Sequence, residues 1–64
     1  MSDYAGMTVN ERLAVADLMQ AFDKAVSARD RAGAIAVLQR VDISDEQAAS
    51  TVDAIFANPS RYGY

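Results

Sequence analysis

Residues 8–29 read TVNERLAVADLMQAFDKAVSAR. They are the longest run of helix-compatible residues in the chain, and how they fold sets the number of helices. Thr8 followed three residues later by Glu11 is the spacing of a capping box. The threonine oxygen accepts a backbone N–H near Glu11, and the glutamate accepts one from the threonine backbone. Leu, Met, Ala, Gln, Lys and Arg dominate the rest, and all are adequate helix formers. Val15, Leu18, Met19, Phe22, Ala25 and Val26 recur at spacings of three and four, which makes one apolar face. Leu13 and Ala14 widen that face at its start. The pattern predicts a single helix from about Val9 to Arg29.

Downstream, Asp30 follows the basic end SAR and is placed to cap a second helix. RAGAIAVLQRV then predicts a helix from Arg31 to Arg40 or Val41, with Ala34, Ile35, Leu38 and Val41 as its stripe. Gly33 lowers propensity in its first turn and permits close approach to the first helix. The Arg29–Asp30 junction holds neither glycine nor proline. A tight turn is preferred there over one bent rod, because a rod beyond about 30 residues is unusual for a short chain. Ser44 and Gln47 repeat the capping-box spacing, and Asp45 and Glu46 complement the exposed N–H groups of a first turn. A third helix is predicted from Asp45 to Ala57, with Ala48, Ala49, Val52, Ile55 and Phe56 facing inward. Asn58-Pro59 stops it, since the residue before proline is pushed out of the helical region.

Residues 1–7 lack any period and read as a flexible leader. The chain is read as one small helical domain over residues 1–64. Its predicted class is all-α: a compact three-helix bundle with a short C-terminal tail packed against it. Thirteen alanines stand beside only seventeen Leu, Ile, Val, Met and Phe residues, so the core is thin. Apolar burial contributes about 25 cal/mol per Å², and alanine supplies little area. Self-association is therefore expected, with Met7, Val9, Val37 or Phe56 supplying extra apolar contact.

The composition argues against several activities. The chain has no cysteine and no histidine. Thiol chemistry is impossible, the usual zinc ligands are missing, and the commonest neutral-pH acid–base group is absent. No catalytic, metal or cofactor site is read, and the chain is read as a non-enzyme. Asp42, Asp45 and Glu46 cluster at a surface turn, where solvated capping outweighs paired-carboxylate chemistry. The glycine-centred calcium loop is absent. The start MSDYAGM does not read as a signal peptide, and no run nears the ~20 apolar residues of a membrane span. A cytoplasmic protein without membrane contact is expected.

Net charge is -3, and residues 41–64 carry Asp42, Asp45, Glu46 and Asp53 against Arg61 alone. Such a field disfavours nucleic acid. Arg29, Arg31 and Arg40 could together receive a phosphate or an acidic segment. Helix-end complementation accounts for Arg29 and Arg40 more simply. The ending FANPSRYGY gathers candidate partner contacts: Phe56, Arg61, Tyr62 and Tyr64. Arginine and tyrosine are enriched at interface anchors. Tyrosine also closes the wet edge of a core, so Tyr62 is expected near Phe22 or Phe56, with Tyr64 more exposed. The functional reading is a small helical protein–protein interaction module, self-associating through an apolar helical surface. The alternative is a nucleic-acid-associated regulator using the second and third helices.

Overall fold

Residues 9–29 form two helices, not one. The computed structural model describes residues 4–64. It runs α1 (Val9–Val15), α2 (Met19–Ser27), α3 (Arg31–Gln39), α4 (Asp45–Ala57) and a terminal 3-10 turn (Pro59–Tyr62). The all-α class holds, but the bundle has four helices where three were expected. No strand occurs among the described residues.

The extra break lies at Asp17, whose φ of 59° is left-handed. Leu18 N–H bonds back to Leu13 O at 2.8 Å and Asp17 N–H to Ala14 O at 3.2 Å. This pair of bonds is the Schellman ending, in which two free carbonyls of a helix end find donors. The reason for stopping here lies in side-chain direction. On one unbroken helix Leu13 and Phe22, nine residues apart, would point about 180° from each other. With the break both enter one core, at 0% and 3% exposure. The compensation falls on Val15, expected inside but 66% exposed, and on Met19. No side chain caps the start of α2, where Leu18 holds the N-cap position.

The same ending recurs twice. Arg29 has φ 57°, with Asp30 N–H on Ala25 O at 2.8 Å and Arg29 N–H on Val26 O at 3.0 Å. Asp42 has φ 62°, with Ile43 N–H on Leu38 O and Asp42 N–H on Gln39 O, both 3.2 Å. Asp30 serves two helices at once. Its backbone closes α2, and its carboxylate accepts Gly33 N–H at 2.9 Å to cap α3. A Cβ on Gly33 would lie 2.3 Å from Asp30 Oδ2. Gly33 therefore makes room for the cap beside it.

The predicted caps form. Thr8 Oγ1 accepts Glu11 N–H at 3.2 Å, and Glu11 Oε1 accepts Thr8 N–H at 3.1 Å. The Thr8 backbone N–H first, and then the Thr8 side chain, hold the Glu11 carboxyl below its ordinary pKa. Ser44 caps α4 by accepting Gln47 N–H at 3.2 Å. The bounds of α4 coincide with those expected.

Helix α3 packs on both α2 and α4, so the core collects from all four helices. Leu13, Leu38, Val41 and Val52 are its largest fully buried side chains, and no polar residue is buried among the described ones. Residues 4–7 form a turn closed by Met7 N–H on Tyr4 O, and Tyr4 packs against the core. The expected flexible leader includes residues 1–3, which lie outside the described residues. Arg12 staples the two ends of this layer. Its Nε donates to Met7 O at 3.2 Å, and its Nη1 donates to Val41 O at 3.0 Å and Asp42 O at 3.3 Å. No described helix is long and apolar enough to cross a membrane.

Candidate functional site

The Asn58-Pro59 stop does more than end α4. Asn58 leaves the helix with φ -148° and ψ 70°, and Pro59 starts the 3-10 turn with its ring at the first position. That turn then closes with Gly63 at φ 88°, Tyr64 N–H returning to Pro59 O at 3.0 Å. The bond pattern repeats the three internal endings, here with glycine at the left-handed position. Its consequence is to fold the chain back, so that Tyr62 and Tyr64 stand over the bundle instead of trailing from it.

They meet a groove of about 480 Å³. Phe22 of α2 and Ile55 of α4 supply core side chains to its wall, and Thr51 continues the α4 side. Residues 8–10 at the start of α1 and Arg61, Tyr62 and Tyr64 of the tail complete its lining. A second hollow of about 400 Å³ shares Thr8, Val9 and Thr51 and runs on past Gln47 and Ser50 to Arg12. Together they follow one side of α4 from Gln47 to Ile55, a distance of ~12 Å at 1.5 Å per residue.

Tyr64 is tied down. Its hydroxyl donates to Asp23 Oδ1 of α2 at 2.5 Å. Partial burial first, and then the bond to Asp23, push the hydroxyl up to about 12. Tyr62 is 47% exposed and Tyr64 40%. The tail therefore roofs the groove without joining the core. Tyr62 does lie with Phe22 along the groove, while Tyr64, expected to be the freer ring, carries the tie to α2.

Of the four candidate contact residues, Arg61, Tyr62 and Tyr64 come together. Phe56 does not line this groove. It is half-buried against the core, and the Arg29 guanidinium lies 5.2 Å from its ring centroid while donating to its carbonyl at 3.2 Å. Arg31 is likewise engaged with α4, through two bonds to Asp53 at 2.8 and 3.2 Å. Two of the three arginines read as a possible phosphate cluster are thus held by α4. In the acidic turn, the Asp45 carboxylate accepts the Gln39 side-chain amide. Asp45 and Glu46 stand exposed on the first turn of α4, where a nucleic-acid-reading helix would present cations or amides.

Sequence reasoning singled out neither Asp23 nor Arg12 for a contact. Nothing local marks Asp23, because its partner lies 41 residues away. No family model matches this chain, and neither a curated protein nor a solved structure matches it.

Proposed function

We propose that this chain is a small protein–protein interaction module whose contact surface is the groove beneath its C-terminal tail. The observation that supports this reading is the pairing of two half-exposed tyrosines with core side chains Phe22 and Ile55 in one hollow. Tyrosine carries a large rigid area and a polar tip, which suits it to anchor a contact at the edge of water. The half-buried Val9, Val37 and Phe56 pack on their own core. That leaves less apolar helix surface for association than their sequence pattern implied, and it shifts the reading from a helix face to the tail.

A photo-crosslinking residue at Tyr62, compared with one at exposed Ala36 on α3, tests this in the native source. A discrete protein adduct from position 62 and none from 36 is expected. Equal labelling from both positions, or none from 62, overturns the reading. Sedimentation velocity of the pure chain then decides whether the partner is a second copy: concentration-dependent association lost in Tyr62→Ser identifies self-assembly.

A further inference from the structure

The charges along the groove run against those of the molecule. The chain carries nine Asp and Glu residues against six Lys and Arg. Yet Arg12 and Arg61 are the charged side chains lining the two joined hollows, and no described Asp or Glu lines either. Arg12 is fixed by its three carbonyl bonds and adds a standing positive charge at one end. Arg61, at the other end, is exposed and forms no ion pair among the described residues. Between them lie apolar side chains, hydroxyls and the amides of Asn10 and Gln47. Two carboxylates stand at the groove's edges, Asp23 accepting the Tyr64 hydroxyl and Glu11 accepting the Thr8 backbone N–H.

Resting on the reading of this groove as a contact surface, we propose that its partner is an acidic, apolar peptide segment of another protein. A carboxylate of the segment pairs with Arg61, and its apolar side chains sit between Tyr62 and the Phe22–Ile55 wall. Complementary potentials of this kind set partner choice and encounter rate more than raw affinity. The ~12 Å run along α4 accommodates about two helical turns, the scale of a short linear segment rather than a domain face.

Non-specific attraction to a chain of net charge -3 would select basic ligands, not acidic ones. Selection from a random library of displayed peptides about 12 residues long, on the full chain, uses that contrast. The expected pool is enriched in Asp or Glu beside Leu, Phe or Trp, and it shifts the backbone NMR signals of Thr51, Ile55 and Arg61. Arg61→Glu should weaken those peptides about tenfold, and a peptide with lysine in place of the carboxylate should recover binding to that variant. Arg61 is exposed on the terminal turn, and an unchanged melting temperature checks that the variant folds. A basic or uncharged pool, signals shifted on α3 instead, an empty selection, or binding indifferent to Arg61→Glu overturns the proposal. If crosslinking at Tyr62 still captures a protein in that case, the interaction reading survives and only the acidic partner is lost.

Discussion

LAVADL at 13–18 and LQRVDI at 38–43 fold into the same turn, but only one of them looks like a turn. Each begins with a fully buried leucine, ends with an apolar residue, and puts aspartate at the left-handed position. The second is followed by Ser44, a strong N-cap, so the eye stops there. The first is followed by Met19 and no cap, so the helical pattern reads straight through. A helix end can thus be set by its own last carbonyls and the apolar pair that brackets them, with no starting signal for what comes next.

Truncating the two leucines gives the largest test of this equivalence. Leu13→Ala and Leu38→Ala should each cost about 3 kcal/mol in urea unfolding, because each empties a site at 0% exposure. That is a large share of the stability of so small a domain. Were residues 9–29 one rod with Phe22 facing inward, Leu13 would sit on the far side. Its truncation would then cost well under about 1 kcal/mol.

Arg12 sharpens the comparison, since it ties α1 to the second turn through Val41 O and Asp42 O. Arg12→Met keeps the stem but removes the donors. A loss of about 2 kcal/mol is expected in the same unfolding assay, the range for bonds to a charged group. A loss near zero would mean that water replaces the guanidinium freely and the staple is ornamental.

Asp17→Gly separates the two readings by sign. In a left-handed position glycine avoids the Cβ clash, so the melting temperature should rise by the equivalent of about 0.5–1 kcal/mol. Inside a continuous helix the same change would lower stability slightly, by about 0.3 kcal/mol.

The smallest expected effect concerns the tail. Tyr64 holds its proton up to about 12, against 10.0 for the free side chain. The folded chain therefore binds this proton more tightly than the unfolded chain. Stability from the Tyr64–Asp23 contact is whole below pH 10 and is lost as pH rises toward about 12. Urea midpoints across that window should fall in the parent chain and fall less in Tyr64→Phe. Identical pH profiles would show that the tail is not held by this bond.

The caps at Thr8, Asp30 and Ser44 and the stop at Asn58-Pro59 were legible because each involves residues within four positions of one another, and local hydrogen-bond chemistry does not depend on the rest of the fold. Helix α4 was placed in full for that reason. Arg61, Tyr62 and Tyr64 were also recognisable as a candidate contact from residue type and position. Of their companions only Phe22 was anticipated, beside Tyr62: Asp23 and Ile55 join them only after the tail folds back at Gly63. The break at Asp17 belongs with these. Aspartate tolerates a helix and a left-handed turn alike at modest cost, so its neighbours do not decide between them. What decides is whether Leu13 and Phe22 must share one interior, and that demand exists only once α3 and α4 have closed around them.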